Sequence, residues 1–226
     1  MSYGPTINVS PTTLTDAVYE SLRQRIATGE IPSGDRVTEA RVVGEYSVAR
    51  PTAKACIERL VGTGLLQRST HKSAVVTTLT VEDIDDLFLV RTTIERAAAV
   101  KLAQSGAVPR SMLEAQRAYD VAGQFDDRAA LVRADIEFHA SLVHASGSKR
   151  LARMHELIAG EILLTIGSTG HQVASRSAVT AEHAGILESL ERGLPYEAGD
   201  RLASHLDAAH RRVRAAFLDS GEKTFS

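Results

Sequence analysis

Four side chains in the second half of the chain have the types and spacing of a divalent-metal site. Asp135 and His139 stand four residues apart, so on a helix the carboxylate and the imidazole share one face, one turn from each other. His183 and His205 lie further on in separate helical patterns. The apolar neighbours Ile136, Leu142, Ile186, Leu187, Leu202 and Leu206 put each candidate ligand beside core-facing positions. Three imidazoles and one carboxylate suit a borderline ion such as zinc or nickel and leave a position for water or for a ligand's carboxylate. The competing reading is a set of hydrogen-bonded core polar residues or surface histidines. His71, His144, His155, His171 and His210 have no partners at ligand spacing and read as unligated.

Two other chemistries are testable on the same stretch. Glu137 and Glu182 adjoin ligands and would be the bases of a water-activating metalloenzyme. Neighbouring helical residues diverge by about 100°, however, which points both carboxylates away from the ligand face. Cys56 has no nucleophile constellation around it, Ser146-Gly147-Ser148 reads as a helix break, and no glycine-rich phosphate loop is present.

The elements that must position the four ligands are helices. From Thr80 onward the periodicity is helical, with spans expected at 82–104, 110–122, 128–146, 149–166, 179–191 and 196–219. Gly106-Ala107-Val108-Pro109, Gly147, Gly167 and Gly193-Leu194-Pro195 break them, and a polar loop is expected over 167–177. Six helices with short connections make an antiparallel bundle. The ligand candidates converge if the helices that carry them share a central face.

The 226 residues suffice for two modest domains, divided near residue 78. Composition is that of an ordinary soluble globular protein, 43% hydrophobic and 24% charged, with no apolar run long enough for a membrane span. One cysteine and the absence of a secretory pattern at the start suit a reducing cytoplasm. The net charge of −2 conceals a split: residues 1–78 carry nine Lys/Arg against seven Asp/Glu, and the remainder seventeen against twenty-one. A mildly basic front and an acidic back fit a DNA-contacting module joined to one that is not.

In the front part, residues 1–14 read as a loose arm. A first helix follows, capped by Thr15 or Asp16 and stopped at Gly29. A turn at Ile31-Pro32-Ser33-Gly34-Asp35 leads to a short helix capped by Thr38, and a third helix opens at Arg50-Pro51. Two strand-like segments, 64–68 and 74–78, flank a wing tip that carries His71 and Lys72. This is the pattern of a helix-turn-helix with a two-stranded wing, whose third helix enters the major groove by its N-terminal end. Arg50 can fork onto guanine O6 and N7, while Thr52, Lys54 and Lys72 hold phosphates or a single base acceptor. The alternative is a charged, solvated helical face.

The order of Tyr19, Leu22, Arg23, Ile26, Gly29, Ile31, Gly34, Asp35, Arg36, Val37 and Glu39, then Ser47-Val48-Ala49-Arg50-Pro51-Thr52 and Leu60 to Leu66, resembles the winged helix-turn-helix of the GntR family of bacterial transcriptional regulators. The resemblance implies DNA contacts from Ala49, Arg50, Thr52, Lys54, Lys72 and Ser73. Ala49 stands where serine is usual, Lys54 where arginine is common, and Ser47 and Ser73 where glycine is usual. Lysine cannot fork onto a guanine as arginine does.

Asp135-Ile136-Glu137-Phe138-His139, Leu142, Ser146-Gly147 and Leu151, followed by Glu182-His183, Ile186-Leu187 and His205-Leu206, are similar to the FCD effector-binding domain of the FadR-like subgroup of that family. The resemblance implies a divalent metal on Asp135, His139, His183 and His205. It also implies a small organic-acid effector captured with the help of Arg91, and more weakly Arg133. Arg91 has a simpler role open to it as well, an intrahelical ion pair with Glu95. The expectation is therefore a mainly α, homodimeric, cytoplasmic regulator that binds double-stranded operator DNA and is no enzyme. It has a winged helix-turn-helix over 1–78 and a helical metal- and effector-binding domain over 79–226. A metal-dependent hydrolase and a regulator with a purely structural metal are the alternatives.

Overall fold

The computed structural model describes residues 13–68, 73–169 and 176–219. The front part begins with α1 (Leu14–Ala27), entered earlier than expected. Thr13 is the cap: its hydroxyl accepts from Asp16 N at 3.1 Å, and the Asp16 carboxylate accepts from Thr13 N at 3.2 Å. This reciprocal box satisfies two amides at once, which no cap at Thr15 or Asp16 would do. After β1 (Arg36–Val37), α2 (Glu39–Tyr46) starts on the expected Thr38 cap and ends at Ser47, whose φ of +53° is left-handed. A serine there costs about 1 kcal/mol relative to the glycine usual at such stops. α3 (Arg50–Gly62) carries Pro51 in its first turn.

The wing is part of a sheet of three strands rather than two. β2 (Leu66–Arg68) and β3 (Ala74–Val76) pair antiparallel, and β1 adds to the other edge of β3, with Arg36 opposite Val75 and Val37 opposite Ala74. A two-residue strand is too short to show the alternation that reveals strands in a sequence. The wing tip, with His71 and Lys72, lies outside the described residues.

Six helices follow: α4 (Val81–Ala103), α5 (Arg110–Gln124), α6 (Arg128–Ala145), α7 (Lys149–Thr169), α8 (Arg176–Glu191) and α9 (Pro195–Asp219). Thr80 and Asp83 form the capping box that opens α4. Gly167, expected to break a helix, lies inside α7. A Cβ there would come within 2.8 Å of the Ala27 carbonyl at the end of α1, so glycine at this position provides a close approach rather than a stop. The loop expected over 167–177 is correspondingly shorter: 167–169 and 176–177 are helical.

Two large apolar clusters organise the chain. One, including Ile94, Ala98, Leu102, Met112, Phe138, Leu142, Ile186, Leu202 and Leu206, fills the centre of the bundle around the candidate ligands. The other joins α1, α2, α3 and the sheet to the bundle without interruption: Val18, Leu22, Ile57 and Leu60 share it with Ile84, Phe88, Leu163, Leu164, Val213 and Phe217. The front module is therefore packed onto the bundle through core side chains.

Candidate metal centre

α6, α8 and α9 bring Asp135, His139, His183 and His205 together, each offering one donor atom, with all four donors within 4.8 Å of one another. Nε2 of His139 lies 3.2 Å from Nε2 of His205, and Nε2 of His183 lies 3.6 Å from Asp135 Oδ1. Donors bound to one ion at zinc-like bond lengths sit about 3.3 Å apart in a tetrahedron, so both separations fit a shared ion. The three histidines are buried, and Asp135 is partly exposed at the side.

The hydrogen bonds behind the histidines decide which nitrogen faces inward. His139 Nδ1 is 2.5 Å from Glu95 Oε2, His205 Nδ1 is 2.6 Å from Glu182 Oε2, and His183 Nδ1 is 2.8 Å from Gln116 Oε1. Each partner oxygen accepts, so each Nδ1 donates and each Nε2 is left with a lone pair pointing into the site. Burial, followed by the neighbouring imidazoles of His205 and His139, pushes His183 well below its usual range and keeps it neutral. Its Nε2 has no hydrogen-bond partner although it is fully enclosed. Phe138 stacks on the His183 ring at 3.9 Å between centroids and fixes its plane. Converging lone pairs, an orphaned buried nitrogen and an adjacent carboxylate are the donor set a divalent cation requires, so the residues fit the ion the sequence implies.

Glu95 is the hub behind this set. It is fully buried and accepts from Arg91 Nε at 2.7 Å, from His139, and from His155 Nε2 at 3.3 Å. Burial alone would push its carboxyl up. The charge of Arg91, with hydrogen bonds from His139 and His155, outweighs that and holds it well below the carboxylate range. His139 is itself pushed down by burial. Glu182 is likewise held down, against burial, by the hydrogen bond from His205.

Arg91 makes the intrahelical pair with Glu95, but in the interior rather than on a solvated face, and its Nη2 is enclosed without a hydrogen-bond partner. Arg133 is exposed on α6 and is not drawn into the cluster. Glu137 is exposed and accepts from Ser141 Oγ, away from the donors as expected. Glu182 also points away from the donor atoms, yet serves His205 from behind. A surface cleft of about 600 Å³ between α8 and α9 is lined by Glu182 and His205 with Ser204, Glu197, Asp200 and Arg201, on the Nδ1 side of the His205 ring. Sequence reading missed Gln116 and His155. Their partners lie in other helices, and no local spacing marks them.

At the other end of the chain, Ala49, Arg50 and Lys54 are exposed at the start of α3, with Thr52 half-buried between them and Ser73 half-buried at the base of the wing. Most described arginines of this part are engaged: Arg25 with Glu30 and Glu45, Arg41 with Asp35 and Glu45, Arg59 with Asp16, and Arg68 with Glu58. Arg36, Arg50 and Lys54 make no ion pair among the described residues. Arg36, on the strand that sequence reading missed, joins the two expected residues in this respect.

Residues 14–76 match the model of bacterial regulatory proteins of the gntR family, and residues 86–208 match that of the FCD domain. Among curated proteins the chain is 22% identical over 194 residues to the HTH-type transcriptional regulator YdhC of Bacillus subtilis, covering 84% of this chain and 86% of that one. It is 23% identical over 223 residues to the HTH-type transcriptional repressor NanR of Klebsiella aerogenes, covering 89% and 86%. Among solved structures, a GntR chain from Rhodococcus sp. RHA1 superposes with a TM-score of 0.74 at 23% identity, covering 88% of this chain and 96% of that one.

Proposed function

The chain belongs to the GntR family of bacterial regulatory proteins and carries an FCD domain, and from that premise we propose that it is a repressor whose hold on operator DNA is set by a small organic acid bound at a divalent-metal site. The family's members are transcriptional regulators rather than enzymes, so the hydrolase alternative falls. On this reading residues 1–78 read DNA, residues 79–226 sense the effector, and the protein works as a cytoplasmic homodimer on a two-fold operator. Repression is favoured by the name of the Klebsiella aerogenes relative.

One observation carries the sensing half: three Nε2 lone pairs converge beside Asp135, with every Nδ1 committed to an acceptor behind it. When bound, zinc or nickel supplies a Lewis-acidic position for a carboxylate. Glu95, Gln116 and Glu182 hold the three rings in one tautomer, and Phe138 prevents His183 from turning. The buried Arg91 Nη2 supplies a donor of the geometry an effector carboxylate accepts. Arg133, exposed on α6, approaches the effector only from the solvent side. At the DNA end, Arg50 reads a base edge, and Thr52, Lys54 and Lys72 hold phosphates, with Ala49 and Ser73 approaching through their backbone.

The test is elemental analysis of natively purified protein, followed by operator binding to the chain's own upstream DNA with and without a panel of carboxylates. One equivalent of zinc or nickel and a carboxylate-dependent change in retardation are expected; absence of sequence-specific retardation sinks the regulator reading. A purely structural metal is the second reading. His183→Ala separates the two, since global unfolding marks a structural ion and loss of the effector response in a folded protein marks a sensor.

A further inference from the structure

We propose that α7 is the element that carries the state of the donor cluster to the DNA-binding module, with the Glu95–His155 hydrogen bond as its input and the Gly160–Thr63 contact as its output. The proposal rests on the metal reading above. At the input end, Glu95 touches the cluster directly through His139 and is bonded through its other oxygen to His155, a buried residue of α7 with no ligand role. Any shift of the His139 ring moves an ionised, fully enclosed carboxylate, whose hydrogen bonds are costly to break, and His155 is one of its three donors.

Five residues on, about 7.5 Å along the helix axis, α7 meets the front module backbone to backbone. Gly160 N donates to the carbonyl of Thr63, the residue that caps α3, at 2.7 Å. A Cβ on Gly160 would lie 2.6 Å from that carbonyl oxygen and closer still to the amide nitrogen of Leu65. The opposite side of the seam is also glycine: a Cβ on Gly64 would lie 3.1 Å from Leu157 O and 3.0 Å from Glu161 Oε1. Two turns further, Gly167 makes the second close approach, to Ala27 at the end of α1. Gly160 and Gly167, seven apart, lie on one face of α7. That face therefore abuts the ends of both α1 and α3, with Leu163 and Leu164 in the shared core between them.

The turn it presses on is itself tied to the sheet. Thr77 Oγ1 donates to Gly64 O at 2.6 Å, and Thr77 N donates to Leu65 O at 3.1 Å. At Gly160 the contact is backbone to backbone with no side chain to bend, so displacement of α7 must either carry the α3–β2 turn with it or break the Gly160 bond. This turn joins the recognition helix to the wing, so its position sets how the two present themselves to DNA.

The test is hydrogen exchange on the full chain, stripped with EDTA and then loaded with Zn²⁺, with zinc stoichiometry measured on the same samples. In the wild type, zinc is expected to slow exchange in residues 60–68 by at least about fivefold, the low end of ordinary site-to-site coupling. His155→Leu is expected to bind zinc and leave 60–68 unresponsive, and His155→Gln, which can still donate to Glu95, to restore the response. Should His155→Leu fail to fold, Gly160→Ala serves: it leaves the donors untouched and is expected to raise exchange in 60–68 and make it insensitive to zinc. If wild type binds zinc and 60–68 does not respond, or if a folded His155→Leu or Gly160→Ala responds as wild type does, the coupling is overturned while the metal reading stands. If no zinc binds, the metal reading fails and the coupling falls with it.

Discussion

His139 and His205 face each other through Nε2 atoms 3.2 Å apart, and the Nδ1 hydrogen of each is already given to a carboxylate. Two lone pairs at that distance repel, so the arrangement is stable when a proton or a cation lies between them. Burial depresses the basicity of His139, which favours the cation.

Metal loading should therefore be visible as stability. Zinc at about a thousand times its dissociation constant adds about 4 kcal/mol to a protein that binds it only when folded. Thermal melts of EDTA-stripped protein should rise on adding Zn²⁺, and the rise should vanish in His183→Ala, whose orphaned Nε2 is a donor of the set. An unchanged melting temperature for the wild type, or an equal rise in the variant, would return the four residues to the status of core polar groups.

The two carboxylates behind the ligands should behave differently when neutralised. Glu95 is fully buried and is the partner of the buried Arg91, so Glu95→Gln strands a cation and should cost about 3–5 kcal/mol of stability. Glu182 is about a third exposed, and Glu182→Gln should leave the melting curve nearly in place while weakening zinc binding by about 10- to 100-fold. Chemical denaturation and zinc titration against a competing chelator separate the two effects. Indistinguishable variants in both measurements would refute the division of roles.

How much of this was readable in advance follows from where each partner lies. Asp135 and His139 are legible because one helical turn joins them, and the front module is legible in its turns and its Thr38 cap, which are local, although α1 starts on Thr13 instead of the expected Thr15 or Asp16. Gln116 and His155 are not, since each meets its partner across 60 or more residues, and only packing decides which helix faces which. Gly167 misleads for a related reason: in an isolated sequence glycine marks a break, whereas here it removes a side chain from a crossing with α1. The third strand is hidden by its length, and Arg36 with it.

Glu161 gives the protein an acid-sensitive element away from the donor cluster. Burial, with Asp83 and Asp86 nearby, raises its carboxyl above the ordinary 4.5. Below that value the group is protonated both folded and unfolded and has no effect on stability. As pH rises from there to the folded value, the folded state binds more protons than the unfolded one, so stability falls, and the loss is complete above. Glu161→Gln should accordingly melt higher than wild type at pH 7 and lose the advantage as pH is lowered toward 4. A Gln variant that melts lower at pH 7 would rule out desolvation and like-charge repulsion as the governing effects.

Arg50 and Lys54 should separate base reading from phosphate anchoring. Both are exposed on the first turns of α3 and have no ion pair among the described residues, so neither must give up an internal partner to meet DNA. Only the guanidinium has the planar fork that matches guanine O6 and N7, whereas an ammonium satisfies a phosphate as well as any cation. Arg50→Lys should thus retain non-specific affinity but lose about 1–3 kcal/mol of discrimination at one base pair. Lys54→Ala should weaken binding to all sequences alike and reduce the slope of log affinity against log salt by about one. Fluorescence anisotropy on duplexes selected by the full chain from a random library, repeated at several salt concentrations, measures both. Loss of discrimination in Lys54→Ala with an unchanged salt slope would reverse the assignment and make Lys54 the base reader.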